Sequence, residues 1–190
     1  ETAFYDYLRS GHARDHGSAA GPMAEVVSAL SPLPDSDIRA MAVYLSRLNP
    51  TPAAETADVQ TQSAIAASVE ASQQAARISP KGARIFEAAC GSCHEGNSIL
   101  SPLTLNSNLH SDVPDNVLQV LMNGVEAPAI LAETTGRDAP EVMSMPAFRD
   151  VLDKGQMQDL AAYLRARFAP GKGVWADAGQ AIDRIKSMVH

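Results

Sequence analysis

The sequence predicts an all-α fold, and three observations support this class. Apolar residues recur at helical spacing in residues 37–48 and 156–168. A third segment of the same kind, residues 80–92, begins with a proline, which favours a helix start. Alternating runs of Val, Ile and Thr, which would indicate strands, are absent from the sequence. We therefore predict three helices, the first two with Asp35 and Asp153 as N-caps.

A half repeat relates the two ends of the chain. Aligning the first of these helices with the second superimposes Ile38 on Met157. Upstream of each helix, the segment YDYLRSG, which ends at Gly11, matches LQVLMNG, which ends at Gly124. The first copy therefore corresponds to only the second half of the other copy.

The repeat divides the chain into four parts. Residues 1–48 are predicted as the C-terminal half of one domain, and residues 81–170 as a complete second domain. Residues 49–80 are rich in Ala, Ser, Thr, Gln and Pro, which predicts a linker, either as coil or as a helix against a neighbour. Residues 171–190 are a C-terminal extension. It is predicted to contain an amphipathic helix that packs on a partner or on the domain itself, with an apolar side made of Ile182, Ile185 and Met188.

Composition argues against several functional classes. The formal net charge is -7 and no run of Lys or Arg occurs, so neither nucleic acid nor an anionic lipid surface is expected as the main partner. No stretch reaches the roughly 18 apolar residues of a membrane-spanning helix. Aromatic residues make up only 5% of the chain, so a cofactor is a candidate for the missing aromatic bulk of the interior.

The only two cysteines, Cys90 and Cys93, lie in the motif CGSCH together with His94. Zinc would need two further closely spaced ligands, and a redox dithiol is typical of a strand–helix context that an all-α chain lacks. A disulfide would leave the histidine without a role. Covalent haem c uses all three residues, because both cysteines form thioethers and the histidine binds the iron. We therefore predict haem c at this motif.

Haem that transfers electrons without binding substrate needs a sixth iron ligand. Met145 in SMPAF is the predicted ligand, since Pro146 would fix the loop. Met143 is the near alternative, and burial in a core is the ordinary role of a methionine. Met23 in GPMAEVV is the corresponding methionine of the first copy. His110 in NLHSD is expected to face solvent or to be hydrogen-bonded.

These segments resemble class I cytochrome c domains. GARIFEAACGSCH is similar to the family's first helix and haem attachment motif, SMPAF to its methionine loop, and DLAAYLRARF to its last helix. The resemblance implies that Gly82 and Phe86 cross Leu160 and Tyr163 in the family's perpendicular contact between these two helices.

The same resemblance bears on two ligand residues. It implies that the Pro102 carbonyl accepts the second ring proton of His94 and so fixes the tautomer of the ring. In the family, a domain that ends like residues 1–48 begins with its own CxxCH motif, and none stands upstream of Met23. Either this copy has lost its haem or, as we expect, the sequence is the C-terminal portion of a two- or three-haem protein. Met23 would then bind a haem that is anchored upstream.

The segments LNSNLHSDVPDNVLQVLMNGV and RARFAPGKGVW resemble multihaem cytochrome c subunits of bacterial periplasmic dehydrogenases. They are more similar to the molybdenum type, which acts on aldehydes, isoquinoline or nicotinate, than to the quinoprotein alcohol dehydrogenase type. The resemblance implies a non-catalytic subunit that passes electrons from a dehydrogenase catalytic subunit to ubiquinone or a terminal oxidase. It also implies that the protein is held at the inner membrane, either by partners or by segments outside this sequence. A multihaem peroxidase and a freely diffusing carrier are the alternatives.

Overall fold

The computed structural model describes residues 1–13, 17–19, 22–48, 54–95, 100, 102–125 and 144–188. Nearly all of its regular structure is helical, which confirms the predicted all-α class. A short antiparallel strand pair joins His12–Ala13 (β1) to Gly17–Ser18 (β2). Among the described helices, none has the length and apolar character needed to cross a membrane.

The described N-terminal part contains α1 (Thr2–Ser10), α2 (Pro22–Leu30) and α3 (Asp35–Leu48). α1 ends at Gly11, whose φ of 76° lies in the left-handed region that favours glycine. The prediction that Asp35 caps α3 is wrong, since Asp35 is the first residue of that helix. Its carboxylate instead accepts hydrogen bonds from the Tyr5 hydroxyl and, at 2.7 Å, from Nε of Arg39.

The segment predicted as a linker is helical where the structure describes it. It forms α4 (Ala54–Glu70) and α5 (Ser72–Ile78). The Thr104 hydroxyl donates to the Ala64 carbonyl of α4 at 3.3 Å, and Ala75 of α5 is fully buried. The helical alternative for this segment is therefore confirmed. Its small side chains allow both helices to pack against the C-terminal part of the chain.

The helices described in the C-terminal part are α6 (Pro80–Ala89), α7 (Gly91–His94), a 3-10 turn (Leu103–Leu105), α8 (Ser107–His110), α9 (Asp115–Asn123), α10 (Lys154–Phe168) and α11 (Ala178–Met188). α6 ends at Ala89, before the predicted residue 92, because Cys90 leaves helical geometry with a φ of -121°. The predicted cap of α10 is confirmed. The Asp153 carboxylate accepts the N–H of Gln156 at 2.8 Å, and the Gln156 side chain accepts the N–H of Asp153 at 2.9 Å.

α6 and α10 cross in close contact, as predicted. A Cβ atom at Gly82 would overlap the Asp159 carbonyl, lying 2.6 Å from its carbon, so only glycine permits this approach. The ring centroids of Phe86 and Tyr163 lie 5.4 Å apart, and Leu160 is fully buried. This contact holds the end of α6, where the CGSCH motif begins.

The C-terminal extension packs on the domain itself. Ile182 and Ile185 of α11 are buried in the main hydrophobic core. Met188, the last residue of α11, is 67% exposed, so its predicted place on the buried side is wrong. Arg184 of α11 forms an ion pair with Asp115 of α9 at 2.6 Å. The extension is therefore part of the folded unit that surrounds CGSCH.

Candidate functional site

The CGSCH motif forms one tight turn at the end of α6. The N–H of Cys90 donates to the Phe86 carbonyl at 2.9 Å. The N–H groups of Cys93 and His94 donate to the Cys90 carbonyl at 3.1 and 2.9 Å. Side chains three and four positions apart on such a turn are neighbours. The turn therefore brings both thiols and the imidazole to one side, as attachment of a single group through all three requires.

The two thiols are not joined in a disulfide. Cys90 is buried, with 7% of its surface exposed. Burial and, to a smaller extent, the nearby Cys93 raise the pKa of Cys90 to about 11, so this thiol is protonated at neutral pH. Thiol–disulfide exchange uses a thiolate, which is favoured by a lowered pKa. The environment of Cys90 therefore argues against the redox dithiol.

The imidazole of His94 carries a buried nitrogen, Nδ1, that makes no hydrogen bond within the described part of the chain. Burial lowers the pKa of His94, which keeps the ring neutral at pH 7, the form that binds metals. The predicted bond from this ring to the Pro102 carbonyl is not formed. Pro102 caps the 3-10 turn, and its carbonyl accepts the N–H of Leu105 at 2.9 Å. A buried nitrogen without a hydrogen bond is costly unless a ligand uses the ring, so the half-buried His94 is suited to binding a metal.

Met145 is positioned by the segment that follows α9. Its backbone pairs with that of Val125, with N–H···O distances of 2.8 and 3.0 Å. Gly124 permits this pairing, because its φ is 73° and a Cβ atom there would overlap the Met145 carbonyl oxygen. Met145 is half-buried against the hydrophobic core that includes Cys90. The alternative ligand, Met143, lies outside the described residues.

His110 has a hydrogen-bonding role. Its Nε2 atom lies 2.8 Å from the Thr104 carbonyl oxygen, at the end of the short helix α8. This confirms the expectation of a hydrogen-bonded histidine in that loop. His110 therefore helps to fold the segment that follows CGSCH.

Comparison with known protein families identifies the kind of domain that contains this site. Residues 79–164 match the family model described as cytochrome C oxidase, cbb3-type, subunit III. Residues 79–164 are a cytochrome c domain. The match begins at the cap of α6 and ends within α10, so it contains the CGSCH turn and the helix crossing that holds it.

Individual relatives extend the similarity over most of the chain. A nicotinate dehydrogenase subunit of Pseudomonas putida is 39% identical over 181 residues, which cover 92% of this chain and 14% of that protein. The cytochrome c subunit of an alcohol dehydrogenase (quinone) from Gluconacetobacter polyoxogenes is 27% identical, over 93% of this chain and 37% of that subunit. The gluconate 2-dehydrogenase cytochrome c subunit of Pantoea cypripedii is 28% identical, over 87% of this chain and 36% of that subunit. The chain thus spans well under half the length of each relative.

A cytochrome c domain carries covalently bound haem c, and the described residues fit this group. The CGSCH turn presents two thiols and one neutral imidazole on the same side, and the imidazole has an unsatisfied buried nitrogen. The domain core supplies apolar surroundings, with Phe86 and Leu160 at most 1% exposed. These are the features that covalent attachment and histidine ligation require.

An apolar groove lies in the N-terminal part, outside the cytochrome c domain. It has a volume of about 470 Å³, within the range of cofactor pockets. Its lining consists of Leu8 of α1, Val26 and Leu30 of α2, and Ala40, Met41, Tyr44 and Leu45 of α3. Met23 is 38% exposed and precedes Val26 and Leu30 by three and seven positions, which places it on the same face of α2.

Helical periodicity does not reveal two arginines of α10 that support the cytochrome c domain. Arg165 is only 3% exposed and donates hydrogen bonds to backbone carbonyls of two other segments. Arg167 forms an ion pair with Glu95, the residue after His94. The bond from Arg165 to Ser111 and the ion pair of Arg167 with Glu95 join residues that are far apart in the sequence, so no local pattern marks them.

Proposed function

We propose that this chain is an electron-transfer subunit that accepts electrons from a dehydrogenase catalytic subunit and passes them to ubiquinone or a terminal oxidase. The observation that carries the proposal is the CGSCH turn, with its buried Cys90 and the unsatisfied buried Nδ1 of His94, inside a cytochrome c domain. The relatives named above are dehydrogenase subunits by name, which supports a dehydrogenase partner. The higher identity to the nicotinate dehydrogenase subunit favours the aldehyde and nicotinate class over the quinoprotein alcohol dehydrogenase class.

We further propose a periplasmic location for the protein and a division of the chain into four parts. Haem c attachment and the bacterial relatives support the periplasm, with the inner membrane reached through partners or through segments outside this sequence. Residues 81–170 are the complete cytochrome c domain, and residues 1–48 are the C-terminal half of a preceding one. Residues 49–80 join the two as helices where they are described, and residues 171–190 are the extension.

In this proposal Cys90 and Cys93 would hold haem c through thioethers, and His94 and Met145 would ligate its iron. When bound, the haem supplies a one-electron couple between ferric and ferrous iron. The neutral ring of His94 offers a lone pair, and the Met145 thioether favours the ferrous state. The hydrophobic core beside Cys90 keeps water from that side of the site, which raises the potential further.

Replacing Met145 with alanine is expected to remove the methionine-to-iron charge-transfer band and to lower the midpoint potential, because the ferrous state loses its soft sulfur ligand. An optical redox titration of the haem-loaded protein measures both effects. Met188→Ala is the control, since Met188 is 67% exposed. An unchanged band in the Met145 variant would assign the sixth ligand to another residue.

We also propose that Met23 would ligate the iron of a second haem c, anchored by residues outside this sequence. The support is the groove beside Met23, whose lining is apolar and whose volume suits a cofactor. Met23 stands on the groove face of α2 and is accessible to a ligand.

Purification of the native protein, followed by anaerobic addition of substrates, tests the proposed function. We expect a large dehydrogenase subunit to co-elute, and the haem to be reduced when nicotinate or an aldehyde is added. Reduction by alcohols alone would favour the quinoprotein alternative. Elution of the cytochrome alone, without reduction by any of these substrates, would indicate a diffusing carrier and contradict the proposal. Carbon monoxide binding without displacement of a sixth ligand would indicate a peroxidase.

A further inference from the structure

We propose that the ion pair between Glu95 and Arg167 is a positioning element of the haem site. It holds the end of the CGSCH turn that carries His94 against α10. It also keeps the net charge beside His94 near zero, and loss of either charge would shift the midpoint potential of the haem. The inference rests on the proposed ligation of the iron by His94.

The side chain of Arg167 lies in mostly apolar surroundings. Its side chain is 13% exposed, and its guanidinium carbon lies 4.9 Å from the ring centroid of Phe168 and 5.3 Å from that of Phe86. Nη1 donates to the Tyr163 hydroxyl at 2.9 Å, and Nε has no hydrogen-bond partner in the described part of the chain. A guanidinium so little hydrated depends on a nearby carboxylate to compensate its charge.

Glu95 supplies that carboxylate and is tied to the turn. Its Oε1 atom pairs with Nη1 of Arg167, and its N–H donates to the Gly91 carbonyl at 3.0 Å. Glu95 directly follows His94, so their Cα atoms are about 3.8 Å apart. Among the described residues, Glu95 is the one acidic partner of Arg167. A movement of this pair therefore moves the end of the turn that carries His94.

The charges of the pair also act on the iron. Reduction adds one electron, so an uncompensated positive charge nearby favours the ferrous state and an uncompensated negative charge favours the ferric state. Removing the Glu95 charge leaves the buried guanidinium uncompensated, which predicts a higher midpoint potential. Removing the Arg167 charge leaves the carboxylate next to His94, which predicts a lower one.

A purely mechanical role makes a different prediction. If the pair only clamped the turn, each single variant would loosen it and admit water to the haem. Water stabilises the more highly charged ferric site, so both variants would lower the potential. The sign of the shift in the Glu95 variant therefore separates the two roles. Glu95 has 40% of its side chain exposed, so the Glu95→Gln variant is expected to fold even if Arg167→Gln does not.

The test is a redox titration of the haem-loaded wild type and of the variants Glu95→Gln, Arg167→Gln, Arg167→Lys and Glu95→Gln/Arg167→Gln. We expect an upward shift for Glu95→Gln and a downward shift for Arg167→Gln. The double variant should return close to the wild-type potential, and Arg167→Lys should stay near it because the charge is kept. A downward shift for Glu95→Gln, or no shift, would overturn the proposal.

The ion pair between Arg184 and Asp115 provides the matched control. It has a similar N···O geometry, at 2.6 Å, but joins α11 to α9 with side chains that are 44% and 31% exposed. Arg184→Gln and Asp115→Asn should leave the potential unchanged. The wild-type spectrum distinguishes failure of this inference from failure of the site assignment, because a wild type without histidine-ligated haem contradicts the ligation itself.

Discussion

Replacing Gly82 with alanine is expected to cost about 3 kcal/mol or more of the free energy of unfolding, enough to abolish stable folding of a marginal domain. The added Cβ would lie 2.6 Å from the Asp159 carbonyl carbon and 2.7 Å from the Ser79 hydroxyl oxygen. The first obstacle is backbone of α10, which cannot rotate away as a flexible side chain can. Relief would require α6 and α10 to separate, and their contact holds the end of α6 that carries Cys90.

Denaturant unfolding of the haem-loaded variant, followed by circular dichroism, measures this loss. Gly173→Ala is the control, since nothing lies within 4 Å of a Cβ atom at that position. We expect the control to stay within about 1 kcal/mol of the wild type. A Gly82→Ala protein as stable as the control would show that the helices cross less closely than the structure indicates.

Replacing Arg165 with methionine is expected to cost about 3 kcal/mol, because three hydrogen bonds from a charged group are lost, and of their acceptors the Ser111 carbonyl keeps a bond from Nε1 of Trp175. The guanidinium donates to the Leu109 carbonyl, to the Ser111 carbonyl at 2.7 Å and to the Gly173 carbonyl at 3.1 Å. It also stacks on the Trp175 ring, 4.4 Å from the centroid. One side chain thus joins α10, the segment after CGSCH and the C-terminal extension.

The loss at Arg165 is measured by the same unfolding experiment. Arg184→Met is the control, because Arg184 is an exposed partner in a surface ion pair and its loss should cost less than about 1 kcal/mol. A loss below about 1 kcal/mol for Arg165→Met would contradict the assigned role. It would mean that water replaces the guanidinium at the three carbonyls.

The sequence predicts those parts of the fold that depend on local patterns. The apolar spacing of α3 and α10 and the N-cap Asp153 are visible because each involves residues close together in the chain. The close approach at Gly82 is expected only through the resemblance to cytochrome c domains. The CGSCH motif specifies haem c because few chemistries use two thiols and a histidine at this spacing.

Other features depend on competition between distant groups, which local patterns do not show. Asp35 does not cap α3 because the helix begins at this residue, and its carboxylate pairs with Tyr5 of another helix. The Pro102 carbonyl accepts the N–H of Leu105 in a turn that residue spacing does not predict. The pairing of Arg167 with Glu95 joins the last helix of the cytochrome c domain to the attachment turn. Such contacts follow only from the folded arrangement.

The central claim is that Cys90 and Cys93 carry haem c, and intact mass spectrometry under denaturing conditions tests it most directly. The protein is expressed in a periplasm that has cytochrome c maturation, and the Cys90→Ser/Cys93→Ser variant is the control. We predict that residues 1–190 carry the mass of one haem, that this haem resists acidic extraction, and that the variant lacks it. A wild-type chain with only its polypeptide mass of 20.1 kDa would contradict the account.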